Sequence, residues 1–448
     1  MRVPRVMPAV AALLLLAHTP LARAQSTEQR LSDVEKKLDA ALAELERLKL
    51  GGAAPDSSSV PVSCHGFAPG ASRVYGLAGG TSIGGYGEML MESSDLERED
   101  GVASNQRARA DLLRVVFYVG HKFSPSLLFN SEIELEHAGV KDEAEVVVDP
   151  SSHEGTAELT GEVVLEFAYV DWQARPWLGV RAGKLLVPMG LVNEQHEPPV
   201  FPGARRPDSE RLVIPSTWAA IGAGFYGSSE RGVEWRAYLV EGLDASHFSG
   251  SSTVRGGRQD GSQALLTHPA LAGRFDWKGT RGLTLGVSAF TGSAWQRPQP
   301  SGANLSVRTT LFDVHGDWRW RGLQLRGLWA SGNIAEAGEL SDALGLAGSD
   351  RIGERFSGGY GEAVYDVASV AWPGTEWSLA PYMRVERYDT QESVPGGTED
   401  PANEREIMTF GVAVKPHPSV VLKADREFRS NQANTETSRW NVALGWLF

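Results

Sequence analysis

The sequence predicts an all-β transmembrane protein, an antiparallel outer-membrane β-barrel of about 16 strands with a short periplasmic coiled-coil helix before it. The prediction rests on the apolar final strand, a secretory signal at the start and a series of strand-length alternating segments between them. In the last nine residues one face carries Trp440, Val442, Leu444, Trp446 and Phe448. This period of two indicates a β-strand with one apolar face.

An apolar strand at the end of the sequence is explained by closure of a barrel. An exposed apolar edge promotes aggregation, whereas in a closed barrel the last strand pairs with the first and its apolar face meets lipid. The segment also resembles the C-terminal signature of Gram-negative outer-membrane barrels, which end in Phe or Trp. We therefore expect outer-membrane lipids as surroundings, and the barrel-assembly machinery as a partner that recognises the strand ending in Phe448.

The first 81 residues divide into three predicted parts. Residues 1–24 are a signal peptide, because Arg2 and Arg5 precede an apolar run and an A-x-A cleavage site. Residues 25–50 carry apolar side chains at heptad spacing, which indicates a periplasmic helix. This helix either joins protomers as a coiled coil or lies singly against the barrel or the cell wall. Residues 51–81 are rich in Gly, Ser, Ala and Pro and are predicted as a flexible linker.

Residues 82–448 are predicted as the barrel, because they contain alternating segments long enough to cross a bilayer at a tilt. The first covers 82–92, the twelfth 358–370 and the last 438–448. In the third, Ile133 belongs to the lipid face, and we expect Glu134 on the other face to tolerate replacement by Arg. Short turns alternate with long polar loops, and tryptophans flank the short turns as an interfacial girdle.

Composition and motifs exclude several other classes of protein. Outside the signal peptide the sequence contains no apolar run near the ~20 residues of a spanning helix. Cys64 is the only cysteine, which rules out an intramolecular disulfide, and the net charge of -13 argues against a nucleic-acid partner. Neither a G-x-S-x-G nor an H-E-x-x-H motif occurs, so we predict no catalytic residues, no metal site and no cofactor.

The central third of the chain resembles the phosphate-selective porin O and P family. The similar stretches are EFAYVDW at 166–172 and VRAGKLLVPMG at 180–190, followed by a loop with Arg205-Arg206-Pro207. The resemblance implies a homotrimeric channel of Gram-negative outer membranes. It also implies that the third extracellular loop, here residues 188–215, folds inward as a constriction loop carrying Glu194, Arg205, Arg206 and Arg211.

Strand parity assigns charges of both signs to the lumen, with acids in excess. The principal pore-lining candidates are Arg114, Glu132, Glu134, Glu136, Arg181, Arg236, Arg326 and Arg384. A mixed wall predicts a porin of weak selectivity that passes small hydrophilic solutes and ions, with anions such as phosphate among them. Two alternatives are an outer-membrane enzyme, and a structural protein that tethers the membrane to the cell wall through the N-terminal helix.

Overall fold

The computed structural model describes residues 63–138, 146–148, 155–157, 161–300 and 304–448. The predicted signal peptide, the predicted helix and residues 51–62 of the predicted linker lie outside these ranges. Sixteen antiparallel strands form one closed barrel, as the sequence predicts, and each strand pairs with its neighbours along the chain. Among the described residues, none of the helices has the length and apolar character needed to cross a membrane.

The barrel strands follow one another in chain order, and β18 closes the ring against β1. A separate two-stranded sheet is formed by β4 and β5. The strands are β1 (Gly80–Ser94), β2 (Arg109–Ser124), β3 (Leu127–Glu136), β4 (Val146–Val148), β5 (Gly155–Ala157), β6 (Val163–Arg175), β7 (Leu178–Leu186), β8 (Ala219–Ser228), β9 (Val233–Val240), β10 (Ala270–Trp277), β11 (Leu283–Ser293), β12 (Arg308–Trp320), β13 (Leu323–Ile334), β14 (Arg355–Tyr365), β15 (Ser378–Ser393), β16 (Glu404–His417), β17 (Val420–Asn431) and β18 (Arg439–Leu447).

In the part of the chain that the structure describes, the helices lie in the connections between strands and in the segment before β1. The α-helices are Asp208–Leu212, Ala337–Ala343 and Val367–Ala371, and the 3-10 helices are Arg73–Gly76, Pro198–Val200, Ala245–His247, Arg255–Gly257 and Gly348–Asp350. The helix Val367–Ala371 corrects the predicted strand 358–370, since β14 ends at Tyr365. Asp366 caps this helix by accepting hydrogen bonds from the N–H groups of Ala368 and Ser369, which ends the extended conformation.

The seam is the pairing of the last strand, β18, with the first, β1, through backbone hydrogen bonds. Gly85 N–H donates to the Phe448 carbonyl at 3.0 Å, and Phe448 N–H donates to the Gly85 carbonyl at 2.8 Å. The Phe448 ring packs edge-on against Phe117, with centroids 6.0 Å apart. Trp440 and Val442 are exposed on the outside, whereas Asn441 is buried inside, so the alternation predicted for this strand is confirmed.

Exposed apolar side chains cover the outer surface, and several of its tryptophans lie at one end. Trp172 and Trp177 flank the turn between β6 and β7, and Trp318 and Trp320 stack at the turn after β12. These turns are the short ones, which in outer-membrane barrels face the periplasm. An aromatic ring at this end is typical of the interface between lipid and water.

Candidate functional site: the interior of the barrel

A long connection between β7 and β8, here called the inner loop (residues 187–218), folds into the barrel and reaches opposite walls. Gly190 N–H donates to the Asp313 carboxylate of β12 at 3.1 Å. His196 Nε2 lies 3.0 Å from the Glu132 carboxylate of β3. Since β3 and β12 lie nearly opposite each other in the ring, the inner loop spans the lumen. It is the third long loop, the one from which the resemblance implies a constriction.

The second half of the inner loop is anchored on the strands near the seam. Ala204 N–H donates to Asp425 at 2.7 Å, and Lys423 Nζ donates to the Gly203 carbonyl at 2.8 Å. Asp208, the first residue of its short helix, pairs with Arg429 at 2.9 Å. In the first two contacts a charged side chain of the wall binds the backbone of the loop, and in the third the wall neutralises a charge of the loop.

A second element inside the barrel is the inner segment (residues 63–77), which precedes β1. Phe67 is 1% exposed, and Val74 and Ala71 are also buried in the main hydrophobic cluster. Residues 63–77 therefore correct the prediction of a flexible linker across 51–81. Although the predicted linker is rich in glycine and serine, Phe67 and Val74 of its described part are buried in the barrel interior.

The eight predicted pore-lining residues all extend into the barrel, but most of them are covered there. Glu132 and Glu134 are 0% exposed, and Arg181, Arg236 and Arg384 are buried as well. Arg326 is 7% exposed, while Arg114 and Glu136 are partly exposed. Strand parity predicts whether a side chain points into the barrel, whereas its burial depends on whether the inner loop or another element covers it.

Ion pairs neutralise most of these inward charges. Arg114 pairs with Glu134 at 2.9 Å, Arg181 with Asp171 at 2.9 Å, Arg236 with Glu194 at 3.2 Å, Arg326 with Glu362 at 3.9 Å and Arg384 with Glu386 at 2.8 Å. Most of the inward acids are buried, while Glu136 is among those that keep partial exposure. Glu132 and Glu134 in particular lie beneath the inner loop rather than on a solvated wall.

The predicted constriction residues are distributed across two different environments. Glu194 is buried against Arg236, and Arg205 pairs with Glu92 at 2.7 Å. Arg206 and Arg211 lie close to Arg255 of the following long loop, whose Nη1 donates to the Arg211 carbonyl at 2.9 Å. Burial and the neighbouring Arg258, Arg211 and Arg206 lower the pKa of Arg255 to about 9. The structure thus gathers a basic cluster of four arginines, Arg206, Arg211, Arg255 and Arg258.

A cavity of about 360 Å³ remains between the inner loop and the wall at the short-turn end. Its ionic lining comprises the cations Arg236, Arg274, Lys278, Arg281, Arg319 and Arg326 and the acids Glu194, Asp276 and Asp317. Sequence reasoning missed Arg274, although β10 alternates and buries Ala270, Ala272 and Asp276 on the same parity. Applying parity to this strand would have found it.

The cations of this cavity are held in place by carboxylates of their own strand or of a neighbouring strand. Arg274 Nε donates to Asp276 at 2.8 Å, and Arg236 Nη1 donates to the same carboxylate at 3.2 Å. Arg319 pairs with Asp317 at 3.0 Å while its side chain stays 59% exposed. The cavity therefore offers fixed cations close to solvent, an arrangement that favours contact with small anions.

The closed sixteen-stranded barrel with an inward third loop defines a porin-like outer-membrane barrel. No family model matches the chain. A protein of Aquifex aeolicus (strain VF5), described as uncharacterized, is 36% identical over 392 residues, which cover 86% of this chain and 83% of that protein. The chain belongs to the same family as that protein.

Two solved structures are similar to the barrel at low sequence identity. Salmonella typhi OmpF in complex with daunomycin gives a TM-score of 0.51 at 11% identity, covering 83% of this chain and 98% of that one. An anion-selective porin from Comamonas acidovorans gives 0.45 at 11% identity, covering 83% and 100%. The likeness to OmpF shows a shared fold, and the lower score adds nothing to it.

Proposed function

We propose that the protein is a porin, a non-enzymatic outer-membrane channel for passive diffusion of small hydrophilic solutes and ions. The observation that carries this proposal is the charged cavity left inside a closed sixteen-stranded barrel. A barrel that served only as an anchor would need no charged space within it. The inner loop and the inner segment reduce the cross-section, so the conductance is expected to be smaller than an unobstructed barrel of this size would give.

The solutes proposed for this channel include small anions such as phosphate. Cations outnumber acids around the cavity, and the basic cluster lies on the side of the long loops. Each cation offsets part of the cost of removing water from an anion that passes. The resemblance of residues 166–172 and 180–190 to the phosphate-selective porin O and P family also supports the passage of anions.

Neutralising the exposed cations at the cavity mouth is expected to reduce anion preference. In planar bilayers with a salt gradient, Arg281→Gln with Arg319→Gln should shift the reversal potential toward cations. We expect an anion-to-cation permeability ratio lower by about twofold, since one charge contributes on the order of 1 kcal/mol before screening.

The matched control for this measurement is Arg387→Gln, a charge on the outer surface that is 67% exposed. It should leave the reversal potential unchanged. A wild-type protein without conductance would refute the porin function and favour the tether alternative. Conductance with an unaltered reversal potential in the double variant would instead show that ions do not pass the cavity.

We further propose that the channel is a homotrimer surrounded by outer-membrane lipids, with its predicted helix on the periplasmic side. The support is the exposed apolar outer surface, the family resemblance and the heptad spacing of residues 25–50. Contact of that helix with the cell wall belongs to the tether alternative.

We propose that the seam strand is also the segment that the barrel-assembly machinery recognises. Replacing Phe448 with Ala is expected to lower the amount of heat-modifiable barrel in outer membranes by more than its lost packing explains. The control is Phe428→Ala, since Phe428 is likewise exposed on the outer surface and its ring packs against that of Phe410, with centroids 6.3 Å apart. Both variants lose a few kcal/mol of burial at most. Equal barrel levels in the two would contradict recognition of Phe448.

A further inference from the structure

The inner segment covers one side of the lumen without contributing to the barrel itself. It contacts the inner face of several strands: Lys122 Nζ of β2 donates to the Tyr75 carbonyl at 2.9 Å, and Asn130 of β3 donates to the Ala71 carbonyl at 2.9 Å. All sixteen barrel strands pair around the ring without it. The wall therefore closes whether or not residues 63–77 occupy the interior.

Arg181 holds the segment at its centre. Its guanidinium carbon lies 4.7 Å from the centroid of the Phe67 ring and 4.4 Å from that of Tyr226. The hydroxyl of Tyr75 accepts from Arg181 Nη2 at 3.0 Å and donates to Asp171 at 2.8 Å. Two side chains of the segment, Phe67 and Tyr75, thus supply the contacts with this charged group.

The inner loop holds the same segment from the other side. Both oxygens of the Glu197 carboxylate accept backbone hydrogen bonds, from Gly70 N–H at 3.1 Å and from Ala71 N–H at 3.0 Å. Ala68 N–H also donates to the Glu194 carbonyl at 3.3 Å. The segment is consequently clamped between the wall and the loop that narrows the lumen.

The wall beneath the segment is partly apolar and partly polar, and Phe67 packs on Phe167 and Tyr169 with ring centroids 5.5 and 5.6 Å apart. Besides aromatic rings, the segment covers Lys122, Asn130, Asp171 and Arg181, whose polar atoms bind its backbone carbonyls and its tyrosine hydroxyl. Water supplies equivalent hydrogen-bonding partners when such groups line an aqueous channel. A surface of this kind tolerates both a covered and an uncovered state.

We propose that residues 63–77 are an autoinhibitory plug that narrows the conduction path and widens it on release. This inference rests on the proposed porin function. Part of the expected reduction in conductance would then come from the plug. Phe67 and Tyr75 hold the plug against the wall, and Glu197 holds it against the inner loop.

Cys64 gives the test an internal reporter, because it is the only cysteine of the chain and lies within the plug. Its thiol is partly buried, and the Cys64 carbonyl accepts from Phe67 N–H at 3.0 Å. A small thiol reagent such as a methanethiosulfonate should label Cys64 slowly when the plug is seated and faster when it is released.

Phe67→Ala and Tyr75→Phe in the full chain are the test variants. Phe67→Ala should speed labelling about tenfold or more, because loss of a buried aromatic shifts local opening by at least that factor. Its single-channel conductance should rise roughly 1.5-fold or more. Tyr75→Phe removes only one hydroxyl and should change both quantities in the same direction by less. Heat-modifiable migration shows that each variant is a folded barrel.

Phe275→Ala is the matched control, since Phe275 is 47% exposed on the outer face of β10 and should alter neither quantity. Faster labelling with unchanged conductance would overturn the plug and leave the porin function standing. Unchanged labelling in both test variants would also overturn it, because the segment would then be a fixed part of the wall. Absence of conductance in the wild type would refute the porin function itself.

Discussion

Replacing Arg181 with Met is expected to lower the free energy of unfolding by roughly 3 to 5 kcal/mol. Arg181 is 1% exposed and donates to Asp171 at 2.9 Å and to the Tyr238 hydroxyl at 3.0 Å. Methionine keeps much of the volume but leaves the Asp171 carboxylate buried without its cation. The penalty of an unpaired buried charge exceeds the loss of the hydrogen bonds themselves. Urea unfolding in detergent micelles or lipid vesicles measures the difference.

The double variant Arg181→Met with Asp171→Leu is the control for this expectation. Removing both charges eliminates the uncompensated carboxylate, so most of the lost stability should return. If the single variant unfolds within about 1 kcal/mol of the wild type, Asp171 has found other compensation and the pair is not a major contribution to stability.

An arginine at Ile133 is expected to cost roughly 2 to 4 kcal/mol of barrel stability. Ile133 lies in the middle part of β3 and pairs with Phe117, which is exposed on the outer surface. The new charge would enter the hydrocarbon region far from either interface. Unfolding from lipid vesicles, or the yield of heat-modifiable barrel, measures the loss.

The control for Ile133 is an arginine at Ile83, which is 68% exposed on the outer face near the start of β1, at the short-turn end of the barrel. There the same charge reaches water and headgroups, so its cost should be about 0 to 1 kcal/mol. Equal losses at the two positions would contradict the assignment of the outer surface to lipid.

The barrel itself could be predicted from the sequence because lipid imposes a simple rule on each strand. Along β3, Leu127, Phe129 and Ile133 alternate with Asn130 and inward glutamates, and a slip of one residue would reverse the faces. The period of two therefore fixes the strands and their faces from local information alone. The predicted strand 358–370 is correct up to Tyr365 and wrong beyond it, where Asp366 caps a helix, a local signal that alternation does not reveal.

The contents of the barrel could not be predicted in this way, because they depend on contacts between distant residues. Glu134 was expected to tolerate an arginine as part of a wet wall, but it is fully buried and pairs with Arg114. An arginine there would place two guanidinium groups together, so the structure leads us to expect that Glu134→Arg destabilises the barrel. Likewise Glu197 meets Gly70 and Ala71 across more than a hundred residues. Such pairings have no signature in periodicity or composition.

The seam between β18 and β1 also bears on the order in which the molecule comes together. The inner segment directly precedes β1, and the inner loop touches strands on both sides of the ring. Once β18 has paired with β1, the lumen can be entered only through its two mouths. When the inner segment and the inner loop fold into the interior before the ring closes, neither has to enter through a mouth. Closure then traps the inner loop, which continues into a strand at each of its ends, so that the lifetime of its contacts depends on how fast the seam opens.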